Sequence, residues 1–107
     1  MTAFPMCITD WTHVEASEYP GDTGFAVWKT QNFGDIRVRM VEYSPGYVAD
    51  HWCSKGHVIL CLRGSIDIEL KDGNRLALKE GQSYHVGDGD PPHRSYSAAG
   101  ARLFIVD

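Results

Sequence analysis

The residues of this sequence with the most chemistry per unit length are His51, Cys53 and His57, gathered in the heptapeptide HWCSKGH. Imidazole nitrogen and thiolate sulfur are the donors that borderline divalent metals take. Strand side chains alternate faces, so residues an even number apart share one. By that parity His51, Cys53, His57, Ile59 and Cys61 line one face, and Val58, Leu60 and Leu62 the other. Gly56 interrupts the run, and a bulge there would break the parity. The competing reading is a polar loop at a barrel mouth. A fourth donor from a separate segment would complete a site, and His93, after Asp90-Pro91-Pro92, is the candidate. The donor set suits a borderline metal such as Zn²⁺, or Fe²⁺, Ni²⁺, Mn²⁺ or Cu²⁺. Asp50 either orients His51 through a hydrogen bond or caps a turn. Cys53 reads as a ligand or as a small buried thiol, Cys61 as core, and Cys7 as incidental.

Such a face must be positioned by strands. Gly24 to Thr30 is rich in β-formers, and Ile36, Val38 and Met40 alternate with Arg37, Arg39 and Val41. Tyr47 to Cys53 follows the turn Ser44-Pro45-Gly46, and the apolar run His57 to Leu62 predicts a central strand buried on both faces. Ile66, Ile68 and Leu70 alternate up to the hairpin turn Asp72-Gly73. Asn74–Lys79, Ser83–Val86, His93–Ser97 and Arg102–Val106 bring the total to about nine short strands. The class is all-β, a sandwich or barrel in one domain spanning 1–107. Residues 1–23 read as an irregular arm with one short helical turn capped by Thr9 or Asp10.

Composition narrows the partners. The net charge is −4 with no basic patch, so nucleic acid is not an expected partner. No apolar run approaches the ~18 residues of a membrane span, so no membrane is expected either. The N-terminal residues lack a signal-peptide pattern and the three cysteines are odd in number, which predicts reduced thiols and a cytoplasmic protein. Neither a Gly-x-Ser-x-Gly elbow nor a phosphate loop is present. Tyr84 and Tyr96 are the catalytic candidates, side chains that would exchange protons with a small-molecule ligand in the barrel; His85 either enters the cavity in the same role or, by default, is exposed. Arg37 and Arg39 read as a solvated face; turned inward, they would hold a carboxylate.

The chain also resembles the small single-domain cupins, in particular the uncharacterised DHCW-motif cupin-fold group, from about Gly34 to the C-terminus. The first cupin motif is matched by Gly46, His51-Trp52-Cys53, His57 and Gly64, with Cys53 where the family has its second histidine and His57 where it has glutamate. The second is matched more loosely by Gly81, Gly89 and His93, with Ser97 in place of asparagine. The phrases ADHWCSKGH, PPHRS and GARLFIVD carry the resemblance to the subgroup. It implies a double-stranded β-helix, or jelly-roll barrel, holding a divalent metal on His51, Cys53, His57 and His93, and the two substituted ligands favour Zn²⁺ first and Fe²⁺ second. It also implies metal-dependent chemistry on a small organic substrate and a homodimer paired through sheet edges. Three histidines with Cys53 as a lining residue would resemble the iron site of thiol dioxygenases. Closed coordination by all four donors would instead make a structural zinc site in a non-catalytic binding module.

Overall fold

The period-two patterning becomes nine antiparallel strands in a computed structural model that describes residues 4–107. In chain order they are β1 (Ala16–Pro20), β2 (Phe25–Phe33), β3 (Ile36–Tyr43), β4 (Tyr47–Val48) and β5 (His57–Leu70), then β6 (Arg75–Lys79), β7 (Ser83–Val86), β8 (His93–Ser97) and β9 (Ala101–Val106). They form a continuous curled sheet in the order β1-β2-β3-β9-β5-β8-β4, with β6 and β7 also pairing with β5. The sequence reading of an all-β jelly-roll barrel holds. None of the helices among the described residues is long and apolar enough to cross a membrane.

β5 organises the barrel. Its first half pairs with β7 and β9, and its second half with β6 and β8, so one strand serves both layers. The two apolar runs read as separate strands are thus one 14-residue strand. Between them the register slips at Cys61/Arg63, and the inward parity changes from His57, Ile59 and Cys61 to Ile66 and Ile68. Gly64 makes the change possible. Its φ is +77°, and a Cβ there would stand 2.3 Å from the Gly100 carbonyl oxygen.

Inward-facing residues of both layers make the core: Val41, Ile59, Cys61, Leu103 and Ile105 from one, Ile66, Ile68 and Leu78 from the other. The expectation that His57 to Leu62 would be buried on both faces is corrected, because Val58 is 45% and Leu62 37% exposed. One face of this strand meets the core and the other reaches solvent.

Three further local readings change. Tyr47 to Cys53 is not a continuous strand: β4 stops at Val48, and residues 49–56 form a loop with one isolated bridge, Cys53 to His93. The arm holds the expected turn, a 3-10 helix at Trp11–His13 whose cap Asp10 accepts from the Thr12 amide. It also contributes β1, which pairs in register with β2 along Ala16–Pro20. All five of its residues are exposed, so no apolar alternation marks it. Finally, β3 turns Arg37, Arg39, Val41 and Tyr43 toward the barrel interior; Arg39 is 5% exposed. The arginine face is the inner one, not the solvated one.

Candidate metal centre

His57 opens β5 and His93 opens β8, two strands whose first residues lie at the same end of the barrel. Cys53 is brought to them by a pair of backbone hydrogen bonds, Cys53 N to His93 O at 2.8 Å and His93 N to Cys53 O at 2.9 Å. The loop that carries it is held from the far side by Gly56, whose amide donates to the Asp88 carboxylate at 2.6 Å. A Cβ on Gly56 would fall 2.7 Å from the Asp88 amide nitrogen, so this close approach requires glycine. One potential donor atom from each of Cys53, His57 and His93 lies within 4.8 Å of the others.

The two imidazoles meet edge to face, Nε2 to Nε2 at 2.7 Å. Two nitrogens in that contact share one proton at most, so neutral rings place one N–H between them. Both Nδ1 atoms are buried without a hydrogen-bond partner. On the His57 side, Nδ1 lies 3.6 Å from Asp107 Oδ2, too long for a hydrogen bond but close enough for the carboxylate to favour an N–H at Nδ1. That tautomer leaves the His57 Nε2 lone pair facing His93. His93 is 2% exposed; burial, and then the charge of His57, push its pKa down and keep it neutral. With the proton between the two Nε2 atoms displaced, these nitrogens and the Cys53 sulfur form a donor set that fits a borderline divalent cation.

Asp107 is the residue behind this arrangement. Its side chain is 1% exposed. Arg37 grips it bidentately, Nε to Oδ1 at 2.9 Å and a terminal nitrogen to Oδ2 at 3.1 Å, and Arg39 adds a bond to Oδ2 at 2.8 Å. Burial by itself would raise the carboxyl pKa. His57 beside it, the Arg37 hydrogen bonds and the two guanidinium charges outweigh that and hold it well below the usual carboxylate range. The carboxylate therefore stays charged behind His57, the place from which carboxylates orient metal-binding histidines.

A cavity of about 100 Å³ opens from this cluster. Trp28, Arg39, Tyr43, Tyr47 and Ser95 wall it. Tyr43 and Tyr47 stack with ring centroids 4.2 Å apart, and burial raises the pKa of both phenols, which keeps them as neutral hydrogen-bonding groups.

No family model matches the sequence, and the search of curated proteins returns no significant match. Among solved structures, ectoine synthase from P. lautus superposes with a TM-score of 0.74 at 13% identity, covering 94% of this chain and 76% of that one. A sugar phosphate isomerase of a cupin superfamily from Silicibacter pomeroyi gives 0.71 at 18% identity, covering 94% and 74%. A putative ethanolamine utilization protein from Salmonella typhimurium gives 0.74 at 10% identity, covering 92% and 82%. The fold is the cupin fold. At these identities the likeness speaks for architecture alone.

Within the cupin barrel the residues singled out from the sequence divide. Cys53, His57 and His93 converge. His51 does not join them: it sits at the rim of the same cavity with its side chain 73% exposed, its Nδ1 2.7 Å from Asp50 Oδ1. The parity argument placed it inward, but residues 49–56 are loop, so parity has no force there. Tyr84 faces inward from β7 and packs against His93 with ring centroids 5.8 Å apart, outside the cavity wall. Tyr96 lies on the opposite face of β8 from His93 and Ser95, under the Arg75 guanidinium. Tyr43, Tyr47 and Asp107 are the site residues the sequence reading missed. Arg37, Arg39, Val41 and Tyr43 share a period-two face, and an inward pair of arginines demands a carboxylate. Those were the available signals.

Proposed function

We propose that this protein is a metal-dependent cupin, related to the DHCW-motif group, that acts on a small organic substrate at a centre held by Cys53, His57 and His93. The observation that carries the reading is the convergence of these three donors in the wall of a cavity. Three protein ligands leave a coordination position for substrate, the pattern of catalytic rather than structural sites. A bound Zn²⁺, with Fe²⁺ as second choice, would supply Lewis-acid polarisation of a substrate oxygen. The chain's own residues do the rest. The Asp107 carboxylate favours the His57 tautomer with its N–H at Nδ1, Trp28 and Ile105 line the cavity with apolar surface, and the Tyr43 and Tyr47 hydroxyls offer neutral hydrogen bonds to a ligand.

One observation favours a second reading, a closed structural site. His51 is tethered only through Asp50 and lines the same cavity, so its imidazole is available as a fourth ligand. Elemental analysis of protein purified without added metal, followed by chelation and refilling with Zn²⁺ or Fe²⁺, tests both. Sub-stoichiometric metal and no uptake on refilling would refute both readings. Replacing Cys53 with Ser separates them: a closed zinc site loses much of its thermal stability, whereas an open centre loses affinity without a comparable loss of fold.

A further inference from the structure

The inner wall of the cavity carries more positive charge than its own residues neutralise. Arg37 and Arg39 both face Asp107, the only Asp or Glu among the described residues that lines the cavity, so two guanidinium groups share one side-chain carboxylate. Arg94 also reaches the cavity, but it is engaged by Glu69 at 3.3 Å and lies over the Trp52 ring. Arg37 uses two nitrogens on Asp107 and is a third exposed. Arg39 is different: it is 5% exposed, uses one terminal nitrogen on Asp107, and leaves its Nε buried without a partner. The Trp28 ring, 4.3 Å from the Arg39 guanidinium carbon, stabilises the cation but brings no counter-charge. A buried, half-satisfied guanidinium is costly unless something completes it.

We propose that the cavity is a subsite for a small monocarboxylate, anchored by Arg39 and by the hydroxyls of Tyr43 and Tyr47. This deepens the reading of the cavity as the ligand chamber of the centre, and rests on it. Three features select the ligand. A buried guanidinium that makes one bond to Asp107 and leaves its Nε unpartnered matches a compact anion. The planar fork of an arginine matches the two oxygens of a carboxylate. A cavity of about 100 Å³ has room for an acid of acetate or pyruvate size. The Tyr43–Tyr47 stack lies along the wall where the acid's short carbon chain would rest.

The test uses the full chain stripped of metal, so that binding does not depend on the centre. Thermal melts and calorimetric titrations are run with acetate and pyruvate. Acetamide serves as the uncharged isostere, inorganic phosphate as the dianion, and sodium chloride matches ionic strength. Saturable stabilisation by either carboxylate, absent with acetamide and phosphate, is the expected result. Arg39→Lys, which keeps the charge but loses the fork, should weaken carboxylate binding by about tenfold or more, the worth of a charge-assisted hydrogen bond. The wild-type comparison of acetate with acetamide needs no variant and stands even where Arg39→Lys folds poorly. Equal responses to acetate and acetamide, no response to either carboxylate, preference for phosphate, or carboxylate binding only after metal is restored would each overturn the assignment. Metal content, measured in parallel on untreated protein, reports separately on the centre itself.

Discussion

Asp107 stands behind His57, its Oδ2 3.6 Å from the ring Nδ1, while the Nε2 of the same ring meets His93 at 2.7 Å. Each nitrogen of His57 therefore has a distinct environment: a fixed negative charge on one side and two further donors on the other. The carboxylate is itself held by two arginines from β3. The line of contact runs from β3 through the residue after β9 to the first residue of β5, across three adjacent strands of one layer.

Removing the charge behind His57 should weaken the metal centre without touching a ligand. Asp107→Asn is expected to lower Zn²⁺ affinity by about 10- to 100-fold, the usual effect of losing a carboxylate that orients a ligating histidine. It also leaves Arg37 and Arg39 without their anion, at a cost of about 3–5 kcal/mol of stability. Competition against a chromophoric chelator, on variant protein shown by circular dichroism to be folded, separates the two effects. Unchanged affinity in folded Asp107→Asn would remove Asp107 from the account of the site.

The unequal placement of the histidines predicts unequal consequences. His57→Asn and His93→Asn should abolish stoichiometric Zn²⁺ binding, since each removes a converging donor. His51→Ala should leave affinity within about threefold, because this side chain is 73% exposed and outside the cluster. Isothermal titration of the three variants checks the ordering. A His51→Ala variant as defective as His93→Asn would show that the loop closes over the metal.

Metal-free protein should be stable at neutral pH and weaken in acid in two stages. The His93 pKa in the fold lies below its ordinary value near 6.5, pushed down by burial and the His57 charge. Below that value the unfolded chain takes up a proton that folded His93 refuses, so stability present above about pH 6.5 is lost as pH falls. Asp107 acts in the same direction lower down. Its folded pKa is depressed from 3.8, so its contribution is full above that value and disappears in stronger acid. Urea unfolding across pH 4 to 8 (a working range of about four units) reads the first stage. His93→Gln should flatten that stage, and a wild-type free energy independent of pH between about 5 and 7.5 is incompatible with it.

The crossover in β5 predicts which glycine matters. Gly64→Ala combines a left-handed φ of +77° with a Cβ 2.3 Å from the Gly100 carbonyl oxygen, so the backbone of β5 or β9 must move. Gly73, at φ +89°, has nothing within 4 Å of the same position. Its alanine variant should lose only the conformational term, about 1–2 kcal/mol. Gly64→Ala should lose clearly more, as read from urea midpoints at unchanged slope. Equal losses would mean that the strand crossover tolerates a side chain.

Much of this barrel can be read along the chain because a half-buried strand writes its burial into alternate residues. Ile66 and Ile68, the Asp72-Gly73 turn, and the run ending in Leu103 and Ile105 were all legible on that principle, as was the chemistry of Cys53, His57 and His93. Alternation gives a period but no direction, and it exists only where the backbone is extended. β3 shows the first limit: its arginine face and its Ile36–Val38–Met40 face are equally periodic, and only Asp107, 70 residues from Arg37, decides that the arginines turn inward. His51 shows the second, since residues 49–56 form a loop in which parity carries no orientation. What the amino-acid order determined by itself was the class of fold and the kind of donor atoms. Which donors meet, which arginines are buried and which tyrosines wall the cavity were decided by strand pairing between distant segments. Contacts of that kind arise from closing the sheet on itself, and no local window of sequence contains them.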